Sequence, residues 1–134
     1  MSNSQSTGIA YADPEFTTCY ATQEIGYSTA AQGTVTQATS KSTGVTLNKS
    51  SGQITMNNAA LANGAIISFT LTNNLLSVKD VIIVNVSGGL ATNGTYTSFV
   101  SNVGIGTAVI SLYNISAGSL SEAVVLNFAI IHGQ

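Results

Sequence analysis

The amino-acid sequence predicts an all-β protein: a β-sandwich, jelly-roll-like or immunoglobulin-like, with an extended N-terminal arm. Three observations predict it. Charged residues make up 6% of the 134, against about 25% in an ordinary domain. Ser, Thr, Asn and Gly stand in their place beside Val and Ile, which is strand and turn chemistry. From Thr34 onward, alternating or wholly apolar short runs recur about every 8–12 residues between Gly- and Asn-rich turns. Before that point no helical or strand period persists. The chain therefore divides into an arm over 1–33 and a sandwich over 34–134.

The elements follow in order. The stretch GTVTQATSKSTGVTLNKSSGQITM, 33–56, holds two of the three lysines and little hydrophobic bulk. It predicts short polar strands at 34–37, 44–47 and 53–56, poor core formers suited to a sheet edge or a subunit contact. In AIISFTLT, 65–72, Ile67, Phe69 and Leu71 fall on one face and Ser68, Thr70 and Thr72 on the other. VIIVNV, 81–86, is a near-continuous apolar run, the pattern of a strand covered on both faces. Gly88-Gly89 and Asn93-Gly94 are turn signals. In 95–103, Tyr96, Ser98 and Val100 alternate with Thr97, Phe99 and Ser101. A strand at 107–114 follows Gly104 and Gly106. The last and longest strand is AVVLNFAIIH, 123–132. Helix is confined to a turn at 57–61 or at 119–122, where a Ser-x-x-Glu pattern serves equally as a tight loop.

The closing strand carries Val124, Leu126, Phe128 and Ile130 on one face and Val125, Asn127, Ala129 and Ile131 on the other. One face suffices for the core. Burying each side chain of the second is worth roughly 1.5–3 kcal/mol, so this strand is either central in its sheet or in contact with another subunit. A net charge of -2 gives little repulsion between copies. The sequence favours a subunit contact through Val125, Asn127, Ala129 and Ile131. The arm carries Asp13, Glu15 and Glu24 with no basic residue, and Tyr11, Phe16, Tyr20 and Tyr27. Aromatics are uncommon in disordered segments. These predict either docking on a partner or cover for one end of the chain's own domain.

Several functions are excluded at this level. Three lysines without arginine cannot neutralise the roughly 6–10 phosphates of a typical nucleic-acid footprint. No apolar run approaches the ~20 residues that span a bilayer. The opening MSNSQSTGIAYADPEF has neither a basic n-region nor an apolar h-region, which reads as synthesis in a cytoplasm without export. The single Cys19 leaves no internal disulfide. His132 is the sole histidine, and the five carboxylates form no motif. Gly104-Ile105-Gly106 is a turn, lacking the rest of a phosphate-binding fingerprint. No clustered ligands suggest zinc or calcium. The expectation is no enzyme and no cofactor.

Two stretches, GTVTQATSKSTGVTLNKSSGQITMNNAAL and ISAGSLSEAVVLNFAII, resemble a β module of tailed-bacteriophage virion proteins. The likeness covers about 33–132. Its distinctive parts are TVTQATSKSTGVTLN and SLSEAVVLNFAI, while the middle matches in pattern and the first 33 residues lie outside it. The resemblance implies a capsid decoration (cement) protein, made in the host cytoplasm and carried on the virion's capsid surface as a homotrimer. Its partner would be the major capsid protein, docked through Tyr11, Phe16, Tyr20 and Tyr27. The alternative is a tail or head fibre protein that contacts the host surface through loops such as 88–94. A glycan-binding module is a third reading, against which the absence of tryptophan counts.

Overall fold

The structure is a computed structural model and describes residues 15–133. Eight strands form: β1 (Gln32–Thr36), β2 (Val45–Thr46), β3 (Ser51–Thr55), β4 (Ile66–Thr72), β5 (Val81–Gly88), β6 (Tyr96–Gly104), β7 (Thr107–Asn114) and β8 (Val125–Ile131). They make two four-stranded sheets, a first in the order β1-β3-β8-β5 and a second in the order β2-β4-β7-β6. The sheets pack against each other as a β-sandwich. Among the described residues the one helical element is a 3-10 turn, Thr29–Ala31.

The strand order separates the two sandwich types left open by the sequence. β3 pairs with β8, β4 pairs with β7, and β6 with β7 forms a hairpin, all antiparallel. From β3 on, the chain is one long hairpin wrapped around the sandwich, which is jelly-roll order. Immunoglobulin order sets the last strand beside the penultimate one; here β8 lies in the other sheet, between β3 and β5. β1 and β2 are added at one edge of each sheet, parallel to β3 and β4.

The core follows from the two-residue strand period. Ile54, Ile82, Leu126, Phe128 and Ile130 point inward from the first sheet, and Val45, Phe69, Leu71, Ile110 and Leu112 from the second. Two glycines are required by this packing. A Cβ on Gly52 would stand 2.7 Å from both the Gly33 carbonyl oxygen and Leu47 Cδ2. Gly106 takes a φ of +72° in the two-residue link from β6 to β7, a conformation that a Cβ disfavours.

Several sequence expectations are corrected. Stretch 33–56 does form edge strands, β1 and β2, but it also fills the core through Val45, Ile54 and Met56. The run 81–86 is not covered on both faces: β5 is an edge strand with Val81 and Ile83 exposed. Its outer side chains Val81 and Ile83 lie beside Ile131 and Ala129 of β8 and are otherwise more than half exposed. Neither 57–61 nor 119–122 is a helical turn. Leu61 and Leu120 instead exchange two backbone hydrogen bonds, of 2.8 and 3.1 Å, so groups that a turn would satisfy internally are satisfied across the gap. The longest strand is β6, with 9 residues against 7 in β8. A register shift between Val100 and Asn102 lengthens it by a bulge that no alternation foretells. β1 also begins at Gln32, just inside the range assigned to the arm.

Candidate assembly interface

The register of the first sheet defines its outer face row by row. At one end Ile131 pairs with Val81; next come Ile83, Ala129, Ser51 and Gln32; then Asn85, Asn127, Gln53 and Thr34. The face is therefore divided. Its β5–β8 half is an apolar strip in which Val81, Ile83 and Ile131 are 57%, 53% and 54% exposed. Its β1–β3 half is polar and indented, a groove of about 470 Å³ lined by Thr29, Gln32, Thr34, Ser51, Gln53 and Asn127 among others. Gln53 Nε2 and Ser87 Oγ both donate to Asn127 Oδ1, at 3.0 and 3.2 Å.

The four residues assigned to a subunit contact do share this face, but they are not equivalent. Ile131 is exposed, Val125 and Ala129 are half-buried, and Asn127 is tied into its own sheet. Central placement in the sheet and an uncovered outer face turn out to coexist in β8. Val81 and Ile83 complete the strip. Sequence reasoning missed them because an apolar run was taken as buried twice over. The second sheet's outer face is different. Ser111 Oγ sits between Ser68 Oγ and Ser101 Oγ at 2.7 and 2.5 Å, and the exposed Ile66 and Phe99 lie on β4 and β6, on either side of β7.

The arm leaves from the end of the sandwich where the apolar strip lies. Tyr27 donates its hydroxyl to the Ile130 carbonyl oxygen. Gln32 Nε2 donates to the Tyr27 carbonyl at 3.1 Å, and Lys49 Nζ donates to the Ala30 carbonyl at 3.0 Å. Beyond this root every residue back to Glu15 is exposed. Phe16 projects outward, and Tyr20 and Ile25 are 91% and 87% exposed. The four aromatics thus divide. Tyr27 covers the end of its own domain, Phe16 and Tyr20 are unpartnered, and Tyr11 lies outside the described residues. Ile25, which no pattern in the sequence marked, belongs with the unpartnered set.

The two ends of the sandwich are closed by polar clasps. At the end opposite the arm, Lys41 is 3% exposed. Its ammonium donates to the Asn57 carbonyl and, at 2.5 Å, to the Glu122 carbonyl. Burial lowers its pKa, and Glu122 opposes that. Gln37 Nε2 donates to the Lys41 and Thr43 carbonyls at 2.9 and 2.8 Å, and its Oε1 accepts from the Asn57 amide at 3.0 Å. Glu122 Oε1 accepts from the Ala91 amide at 2.7 Å. Its Oε2 and the Tyr96 hydroxyl are both buried beside each other. Burial first, then the Glu122 charge, pushes Tyr96 up to about 12.

At the arm's end, Asp80 Oδ2 accepts from the Ser77 amide at 2.8 Å. Asp80 Oδ1 accepts from the Gly133 amide at 3.0 Å and the Ser77 hydroxyl at 3.1 Å, and His132 Nδ1 stands 3.1 Å from Oδ2. The Ser77 amide leads these bonds in holding the carboxyl down at about 2. The carboxylate sits between serine and imidazole, whereas a nucleophilic triad needs the imidazole in the middle. The arrangement is a clamp on the chain after β8. Compared with known protein families, with curated proteins and with solved structures, the chain finds no match.

Proposed function

We propose that this protein is a homo-oligomeric structural component of a phage virion, a decoration protein that binds the outer face of the head shell as a trimer and stabilises it. One observation carries the assembly part: an exposed apolar strip, Val81, Ile83 and Ile131, beside an arm that exposes Phe16, Tyr20 and Ile25, in a chain with 6% charged residues. Apolar surface that a single chain leaves wet is a standing drive to associate. The virion part rests on the sequence resemblance over 33–132.

In this reading the subunits meet through the outer face of the first sheet, at Val125, Ala129 and Ile131 together with Val81 and Ile83. The arm reaches the major capsid protein through Phe16 and Tyr20, and through Tyr11 before them, while Tyr27 fixes the arm's root. Stabilisation is linkage: a protein that binds only the assembled shell shifts the equilibrium toward it. The test is the copy number of this chain against coat protein in purified particles, by quantitative mass spectrometry. A number of the same order as the coat protein is expected. A handful of copies per particle would remove the shell reading in favour of a tail or vertex position.

A further inference from the structure

We infer that the apolar strip of one copy is covered by the arm of the next, with the segment from Tyr20 to Ile25 lying across Val81, Ile83 and Ile131. This rests on the reading of the first sheet's outer face as a subunit contact, and names what occupies it. It gives Tyr20 to the neighbouring copy and leaves Phe16 and the residues before it to reach the shell.

Four observations point the same way. The strip and the arm are the two apolar surfaces that meet at one end of the molecule, because the arm's root is bonded to Ile130, one residue before Ile131. The root is held on the β3 side of β8. The Ile130 amide donates to the Ser50 carbonyl, on the β3 side, and the Ala30 and Tyr27 carbonyls are held by Lys49 and Gln32. The strip lies on the other half of the face, on β8 and β5. In keeping with this, residues 15–26 are exposed.

The arm carries most of the chain's acidic charge. Residues 1–31 hold Asp13, Glu15 and Glu24 and no basic residue, a charge of -3. Residues 32–134 hold three lysines against Asp80 and Glu122, a charge of +1, and the two sum to the chain's -2. Lys79 lies two residues before Val81, at the strip's end, and Glu24 is next to Ile25. The segment also suits an extended path. At about 3.3 Å per residue, the seven steps from Tyr27 to Tyr20 span roughly 23 Å, enough to cross onto an abutting copy. TTCYAT is rich in residues that favour extended backbone, and 15–25 contains no glycine or proline. Each copy both gives an arm and receives one, either by reciprocal exchange in a dimer or head-to-tail around a ring.

Cys19, the sole cysteine and exposed, makes the inference testable. Two chains are mixed under mild oxidation: one native, the other carrying Cys19→Ser and Ile83→Cys. A disulfide between the two chains is expected as the main product, and a single chain carrying both thiols should give a ladder of covalent oligomers. A double-thiol chain that stays a faster-migrating monomer would overturn the inference, since the arm then covers its own strip. So would native chains that associate in light scattering while residues 19 and 83 fail to link between copies. That last outcome leaves the proposed function standing. A native chain that is monomeric by light scattering at every concentration defeats both.

Discussion

The two faces of β8 are built from the same kinds of side chain and have opposite surroundings. Leu126, Phe128 and Ile130 point into a filled core, and Leu126 and Ile130 have no exposed surface at all. Ile131 and its neighbours Val81 and Ile83 point out and are more than half exposed. The difference teaches that apolar content along a strand counts the faces that need cover without saying what covers them. For β8 the inner face is covered by the second sheet. The outer face is left exposed at Ile131.

The largest effect should come from the inner face. Leu126→Ala removes buried methyls from a site without slack and should cost about 3 kcal/mol, lowering Tm by on the order of 10 °C. Denaturant unfolding of the isolated protein measures it. Ile131→Ser on the same strand should change stability by less than about 0.5 kcal/mol. Equal losses at the two sites would erase the distinction between the faces.

Next in size is the clasp at the far end. Lys41→Met keeps the stem but leaves the Asn57 and Glu122 carbonyls without their donor. A buried acceptor stripped of its partner costs about 1–3 kcal/mol, so urea denaturation should show a loss on the order of 2 kcal/mol. This exceeds what any outer-face change should do, although lysine is normally the residue of a surface. An unchanged midpoint would mean that water replaces the ammonium and that this end is open.

How much of this was written in the sequence follows from the same contrast. All eight strands could be placed, because alternation is a local signal: AIISFTLT and AVVLNFAII name their inner faces without reference to anything distant. What failed was non-local. VIIVNV carries the pattern of a doubly covered strand, but sheet order put it at an edge, and order depends on pairings some 40 residues away. Lys41 sits in a Ser/Thr run with no sign of burial, since its partners come from Asn57 and Glu122. Leu61 and Leu120 meet across an interval that no helical or turn pattern spans. In the candidate site, Ile131 was legible from period two. Val81, Ile83 and Ile25 were not, because exposure is a property of the assembled sheet.

A smaller effect should appear in acid, at the end of β8 itself. Asp80 titrates at about 2 in the fold, against an ordinary value of 3.8. The unfolded chain therefore takes up the proton first, and the stability this group contributes is present above about pH 4 and lost as pH falls toward 2. Thermal melts across that window should flatten in Asp80→Asn. The opposite end mirrors this in base. Tyr96 is raised from 10.0 to about 12, so its contribution holds below pH 10 and fades as pH climbs through 12. If Asp80→Asn left the acid limb unchanged, the clamp on residues 132–133 would not be tied to the stability of β8.

The smallest change in stability should accompany the clearest change in behaviour. Ile83→Ser alters one outer-face side chain that already touches water over half its surface, so denaturation should register less than about 0.5 kcal/mol. If the strip is a subunit contact, the same substitution removes apolar area at its centre, between Val81 and Ala129, and places a hydroxyl there without a partner. Mass by light scattering should then fall from that of an oligomer toward that of one chain while the melting curve stays in place. Leu126→Ala should do the reverse, lowering the melting curve yet leaving association intact in the fraction that remains folded. The two variants together separate a face that builds the fold from a face that uses it. Loss of both properties in either one would mean that the subunit fold and its assembly form a single cooperative unit.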